Sequence, residues 1–398
     1  MKLSVAFVAG IICAGSAMAA SSFDVPLQRR GGFDIDLSDL RFKLVVGHIA
    51  KTTSKFSRAM ENYKRNTGHE HPLLAKSHEK RNEDDDSAST ATIDLKDVSD
   101  ELEWIGPISI GGQKSFIDFD TGSGDLIINP GAYSPKKSNT SQETNESFTA
   151  AYADGTRGDG KIYRDTIHLG KIAAHNVSVG RVDENIVKPS EEGGNQGVAG
   201  LSFPSITAFD SKGKHTSVVE ALSNHSSSKP IFQFSLKAGD GSTLHIGDVD
   251  KSKIDGDVTY VDVNPRLGFW LTEAKIKGKV ISAIIDSGTT VIIGPTEEVS
   301  EVFNRIGGIE TFNHEGTLYG AYDCDRDLKL SLKIGGKDFT IPKKIQSWGK
   351  TNDGRCVLAV NGARSIPFHA WVVGGTFFQD RSIIFDAEEN RLGFADAK

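Results

Sequence analysis

Along most of the chain the apolar positions fall in short runs separated by Gly-rich turns. Ile105-Gly106-Pro107-Ile108, Ser115 to Phe119, Leu126-Ile127-Ile128, Lys161 to Leu169 and Val177 to Val182 form one series, and a second begins at Ile231-Phe232-Gln233-Phe234, just after Pro230. Runs of this length bounded by Gly, Asn, Asp and Pro predict strands. The stretch Arg41 to Tyr63 keeps a different rhythm and reads as a helix. Gly is frequent at 42 of 398 residues, which agrees with a turn-rich, β-rich chain long enough for two domains.

Two of the runs end alike. Phe116-Ile117 leads into Asp120-Thr121-Gly122-Ser123, and Ile281 to Ile285 leads into Asp286-Ser287-Gly288-Thr289. In each, Gly122 or Gly288 permits a tight turn beneath the carboxylate, and the flanking hydroxyls can hold the Asp oxygens. A single Asp-(Ser/Thr)-Gly is usually an Asx-turn at a strand end. Here there are two, and a third feature repeats with them: Val198-Ala199-Gly200 follows the first Asp as Val372-Val373-Gly374 follows the second. The chain reads as an internal duplication with one carboxylate per half. Two such Asp side chains brought together cannot both ionise cheaply, so the pair shares a proton and offers an acid and a base at once.

With these motifs the chain resembles the pepsin-like aspartic endopeptidases, nearest the secreted fungal branch of the aspergillopepsin and penicillopepsin type. The resemblance runs from about Trp104 to the C-terminus and includes the terminal Arg391-Leu392-Gly393-Phe394-Ala395. It implies an all-β, bilobal pepsin-like fold, two homologous β-barrel-like lobes with the active-site cleft between them. The expected divisions are a signal peptide at 1–19, a propeptide at 20–81, an N-terminal lobe at 82–229 and a C-terminal lobe at 230–398. It implies Asp120 and Asp286 as the catalytic pair, acting on a water without a covalent intermediate, a metal or a cofactor. Thr121 and Ser287 would cross-link the two turns, and Ser123 and Thr289 would bond the outer carboxylate oxygens; the alternative is that these hydroxyls only satisfy local turns.

Ala151-Tyr152-Ala153-Asp154-Gly155-Thr156 matches the family's flap, with Asp-Gly as a turn signal in its own right. Tyr152 would cover the pair, and the backbone of Ala153 and Asp154 would bond an extended peptide, with Thr290 also on the substrate side. Asp154, reinforced by Asp118, would suit Lys on the N-terminal side of the cut; the plainer reading of both is solvated charge. Three positions depart from the family pattern: Ile127 where a Trp is usual, Ala153 for a flap Gly, and Gly375 where an Asp is common. The expected activity is hydrolysis of extended polypeptides between bulky hydrophobic residues. The rival is a non-catalytic pepsin-like binding module, which would usually lack an Asp, a turn Gly or the flap Tyr.

Composition sets the context. Lys2, the apolar run Leu3 to Ala14 and Ala17-Met18-Ala19 read as a signal peptide too short to span a bilayer. No later stretch reads as a membrane span, so a secreted, soluble monomer is expected, with a vacuolar destination left open. Residues 21–81 carry 12 Lys and Arg against 7 Asp and Glu, and the remainder after the signal peptide carries 33 basic against 46 acidic residues. A basic segment ahead of an acidic body reads as an inhibitory propeptide, the alternative being a solvated linker. It ends at the dibasic Lys80-Arg81, a candidate processing site, and Lys64 is the candidate for the group that blocks the pair. Charge near overall balance argues against a nucleic-acid partner. After the signal peptide, Cys324 and Cys356 remain, a disulfide in an oxidising compartment, or else two free thiols. Asn139, Asn145, Asn176 and Asn224 each head a glycosylation sequon.

Overall fold

Three β-sheets carry the chain, and the duplication seen in the sequence recurs in how two of them are built. The computed structural model describes residues 40–74, 89–98, 103–151, 157–183, 194–209, 215–225, 228–237, 240–364 and 366–398. An eight-stranded sheet draws its strands from Lys96–Val98 to Gly197–Gly200, and an eleven-stranded sheet from Leu271–Ile276 to Trp371–Val373. A six-stranded sheet takes Ala91–Asp94, Thr243–Ile246, Ile231–Leu236, Arg381–Asp386, Arg391–Ala397 and Ile254–Asp262 in that order. The fold is all-β and bilobal, as the sequence implied.

Each half delivers its Asp in the same way. Gln113–Asp120 and Lys279–Ile285 both begin half-exposed and become buried on both faces over their last residues. Such double burial needs cover on each side, and it explains why alternation gives way to a continuous apolar run. Each strand then pairs in parallel with the short strand of the repeated motif. Asp120 sits opposite Gly200, and Ile285 opposite Val373. Those short strands pair antiparallel on their other side, with Leu126–Ile128 and with Ile292–Pro295 respectively. Gly200 has no room for a Cβ, which would strike the backbone of Gly124 and Asp125, and one on Gly374 would strike the Thr289 carbonyl.

The two halves are stitched together by buried groups. The Trp270 indole N–H, fully buried, donates to the Leu201 carbonyl at 2.9 Å. Within the second half, Trp371 is equally buried, and its indole donates to Glu298 on the Thr296–Ile306 helix at 2.8 Å. Burying an aromatic side chain of this size contributes about 2–3 kcal/mol, provided its polar atom is partnered.

The helical run of the sequence is a helix at Leu40–Thr67. Lys64 and Arg65 occupy its last turn, where positive charge suits the carbonyl end of the dipole. Gly68 ends it in the left-handed region, φ 78°, with its N–H bonded to the Lys64 carbonyl. Phe42, Val45, Ile49, Thr52, Phe56, Ala59 and Tyr63, alternately three and four residues apart, are all buried. This stripe lies against the second half, in a cluster with Phe269, Ile284, Ile293, Tyr319, Trp348 and Phe368. The helix is therefore packed as a core element and not as a solvated linker.

Cys324 and Cys356 form a disulfide with Cα atoms 5.0 Å apart, beside the ladder pair Tyr322–Cys356. Asn139, Asn145, Asn176 and Asn224 are all exposed. No helix among the described residues is long and apolar enough to cross a membrane. Replacing both cysteines by Ser is expected to lower the unfolding free energy by about 3–4 kcal/mol, since the bridge closes a long loop. The check is a lower urea midpoint at unchanged native far-UV signal; an equal midpoint would mean that the ladder alone holds the loop.

Candidate active site

Asp120 and Asp286 meet at the join between the two halves, both almost fully buried. Their turns are related by a near-exact swap of bonds. The Gly122 N–H donates to Asp120 Oδ1 at 2.9 Å and the Gly288 N–H to Asp286 Oδ1 at 3.0 Å. The Ser123 hydroxyl donates to Asp120 Oδ2 at 2.7 Å and the Thr289 hydroxyl to Asp286 Oδ2 at 2.5 Å. Across the join, the Thr121 hydroxyl donates to the Ile285 carbonyl (3.0 Å) and accepts from the Ser287 N–H (2.9 Å). The Ser287 hydroxyl donates to the Phe119 carbonyl (2.6 Å) and accepts from the Thr121 N–H (3.0 Å).

The glycines matter because each underlies the carboxylate of the other half. A Cβ on Gly122 would lie 2.5 Å from Asp286 Cγ, and one on Gly288 would collide with the Asp120 carboxylate. The geometry thus brings two carboxylates together on two copies of one turn, tied by cross-bonded hydroxyls. The eukaryotic aspartyl protease family model matches residues 103–397. The chain belongs to that family.

Individual relatives agree. Secreted aspartyl protease 1 of Malassezia globosa is 38% identical over 399 residues, covering 99% of both chains. Penicillopepsin-1 of Penicillium janthinellum is 27% identical over 329 residues, covering 78% of this chain and 99% of its own. Among solved structures, the aspartic proteinase from Irpex lacteus superposes with a TM-score of 0.64 over 78% of this chain and 98% of its own, at 19% identity, a likeness of fold. The chain is an aspartic-type endopeptidase of the pepsin-like kind.

In this protease the pair is occupied by a side chain of the Leu40–Thr67 helix. Lys55 Nζ lies 2.9 Å from Asp120 Oδ1 and 2.8 Å from Asp286 Oδ2. Burial alone would depress the Lys55 ammonium, but the two carboxylates outweigh it and hold it above the ordinary lysine value. For Asp120, burial pulls upward, yet Lys55 and the Ser123 hydroxyl hold it below the usual carboxylate range. For Asp286 burial dominates, assisted by the neighbouring Asp120 and opposed by Lys55, and raises it to about 6. The two carboxyls are thus electrostatically unequal: one is kept ionised and the other takes the first proton. Asp118, two residues before Asp120 and buried, is raised by burial and then by Asp120 and Glu103.

The lysine that reaches the pair is Lys55 and not Lys64. Lys64 points outward and pairs with Glu70 at 2.5 Å, both side chains 62% exposed. Helical spacing accounts for the difference. Lys55 shares the face of Thr52 and Ala59, three before and four after it, which is the buried face. A lysine on an apolar stripe was the sequence signal that could have singled it out. The same helix makes contacts that sequence reasoning did not anticipate. Thr52 meets the Thr289 hydroxyl at 3.2 Å, and His48 Nδ1 meets the Thr290 hydroxyl at 2.7 Å. Asn62, Arg65 and Asn66 donate to the carbonyls of Ile206, Thr207 and Ser205. Burial, then the Lys51 ammonium, push the His48 imidazole down to about 4. His71 is also lowered by burial, with a partial offset from its bond to the Leu267 carbonyl.

Of the remaining sequence candidates, Tyr152, Ala153, Asp154, Lys80 and Arg81 lie outside the described residues. Ile127, in place of a Trp, packs in an apolar cluster with Phe148, Ile162, Val198 and Phe209. Gly375 donates its N–H to the Thr289 carbonyl at 2.7 Å. A Cβ there would come within 3.0 Å of the Thr290 carbonyl and 3.1 Å of the Trp104 ring, so an Asp would crowd both.

Ser287→Ala removes a donor to Phe119 and an acceptor for Thr121 inside a dry site. We expect a loss of about 2 kcal/mol in urea unfolding and a fall of at least about tenfold in peptide hydrolysis after acid treatment. Unchanged stability would show that the cross-bonds do not carry the join.

Proposed function

We propose that this chain is the precursor of a secreted acid endopeptidase, held inactive by its own N-terminal helix. The observation that carries the reading is the Lys55 ammonium seated between the two carboxylates at 2.9 and 2.8 Å, where a water would have to stand. The secreted destination is supported by the signal-like residues 1–19 and by the name of the Malassezia globosa relative.

After release of the helix the pair shares one proton; in this reading Asp120 is the base and Asp286 the acid. A water between them loses a proton to Asp120 as its oxygen attacks the scissile carbonyl carbon, and Asp286 gives its proton to the carbonyl oxygen. The resulting gem-diol collapses with proton transfer to the leaving amine. Thr121 and Ser287 keep the two turns in register, and Ser123 and Thr289 orient the carboxyls. Substrates bind extended, as a strand, with bulky apolar residues around the cut. Asp154 of the flap is the residue proposed for tolerance of Lys there; Asp118, raised by burial and by Asp120, is neutral in acid and can offer a Lys ammonium only a hydrogen-bond acceptor. The exposed sequon residues Asn139, Asn145, Asn176 and Asn224 are available for glycans.

Acid releases the helix in two ways. The Lys55 ammonium pulls both carboxyls downward, so each proton they take up weakens an ion pair that only the docked form makes. His48 adds a second term with a definite sign. Docked, its imidazole titrates at about 4; released, it returns to an ordinary value of about 6.5. The released form therefore binds the proton more readily, so docking is fully supported above about pH 6.5 and weakens as pH falls toward 4.

Three measurements test this. The full-length chain is expected to stay latent at pH 7 and to hydrolyse haemoglobin at about pH 3, with Asp286→Asn folded but inert; turnover by that variant would remove the proposed acid. Lys55→Met should raise activity at pH 6 by about tenfold or more, because the apolar side chain leaves the pair unneutralised; equal latency would place the block elsewhere. His48→Asn keeps a hydrogen-bonding group but cannot titrate, and should move the activation midpoint down by about half a pH unit. A midpoint that does not move would assign the acid response to the carboxylates alone.

A further inference from the structure

We propose that the aromatic pocket filled by Phe42 is a remote substrate subsite in the second half of the enzyme, one that takes an aromatic side chain about five to seven residues from the scissile bond. The inference rests on the reading that the Leu40–Thr67 helix departs on activation. Phe42 is buried against three rings: His314 at 5.3 Å between centroids, Trp348 at 5.5 Å and Tyr319 at 5.7 Å. Phe312 stacks on Tyr319 at 5.2 Å and backs the pocket. When the helix leaves, this side of Trp348 and Tyr319 loses its cover and opens a cluster of aromatic faces.

Two further observations say what would replace Phe42. Trp348 belongs to Ser347–Lys350, the last strand of the eleven-stranded sheet, so among the described residues one side of that strand has no sheet neighbour. An extended peptide can add to such an edge by main-chain bonds, with a side chain dropping into the adjacent pocket. The Trp348 indole N–H is also buried without a hydrogen-bond partner in the helix-docked state. A buried donor left unpaired is costly, and a peptide carbonyl or water admitted on helix release would satisfy it.

Distance places the pocket outside the part of the cleft that flanks the cut. Phe42 precedes Lys55 by 13 residues on one helix, a span of about 20 Å at 1.5 Å per residue. An extended chain covers that length in about six residues at 3.3 Å each. At about six residues from the bond, such a site lies past the residues that flank the cut. The pocket therefore acts on long polypeptides and is invisible to short peptides. An aromatic anchor in a desolvated pocket of this kind is worth about tenfold or more in affinity.

The test uses enzyme made by acid activation of the full chain. A short peptide spanning three residues on each side of one hydrophobic scissile pair is compared with long peptides carrying the same pair. In the long series, a single Phe is moved through positions four to nine from the bond, on either side, in an otherwise Ala- and Ser-containing sequence. The expected result is a rise of about tenfold in kcat/KM, carried by KM, confined to positions five to seven on one side. The ratio of the best Phe peptide to its Ala counterpart should fall toward one in Trp348→Ala and in the milder His314→Ala. A flat positional profile with the short peptide still cut would overturn the subsite and leave the protease reading intact. A positional preference that survives both variants would also overturn it, by placing the anchor elsewhere. If neither peptide class is cut, the endopeptidase reading falls and the subsite with it.

Discussion

Two carboxylates in one dry site are the constraint on which the rest of this structure depends. Asp120 and Asp286 are nearly devoid of solvent, and neither could be held ionised there without donors aimed at it. Each receives a backbone N–H from its own turn and a hydroxyl from the residue three positions on. The exchange of hydroxyl bonds between Thr121 and Ser287 ties the two turns into one unit. The parallel pairing of each Asp-bearing strand with a short Gly-containing strand places both carboxylates at the same join. Even the absence of a Cβ at Gly122 and Gly288 follows from this requirement, since a methyl group would occupy the opposing carboxylate's space.

The N-terminal helix solves the same electrostatic problem for the closed form. Lys55 supplies one compact positive charge to the two Asp side chains, and its burial is tolerated because both partners are within hydrogen-bond distance. The arrangement is stable while both carboxyls are ionised and His48 is neutral. Acid alters both conditions in the same direction. The apolar stripe from Phe42 to Tyr63 contributes attraction that does not depend on pH, and the charged contacts decide when that attraction suffices. In the proposed zymogen this division would give the helix both tight docking at neutral pH and a route to release.

Docking by an apolar stripe also means that the helix covers apolar and aromatic surface which, in the proposed activation, release would uncover. Phe42 and Phe56 enter two aromatic settings, one around Tyr319 and Trp348 and the other around Phe269 and Phe368. A helix advances 1.5 Å per residue and a strand more than twice that. The same grooves are therefore met at different residue spacings by the inhibitor and by an extended chain. What the helix touches at 13 residues from Lys55, a strand touches at about half that number.

Much of this was legible in the chain. The duplicated Asp-turns, the apolar runs behind them and the repeated Val-Ala-Gly and Val-Val-Gly motifs specify strand, turn and partner strand locally, because each rests on short-range backbone requirements. They were enough to identify the family and the all-β fold. The Cys324–Cys356 bridge agrees with the disulfide expected of these two cysteines. The lysine at the pair was not read from the chain: the spacing sets Lys55 on the apolar stripe, but only packing shows that this stripe lies over the two carboxylates while Lys64 meets Glu70. The inequality of the two Asp residues was equally hidden, since it arises from burial and from Lys55, a residue far away along the chain. The aromatic pocket at Phe42 was likewise assembled from residues that tertiary structure alone brought together, more than 250 positions apart in sequence for His314 and beyond. Local chemistry is written where it acts; the distribution of solvent and charge around it is a property of the folded whole.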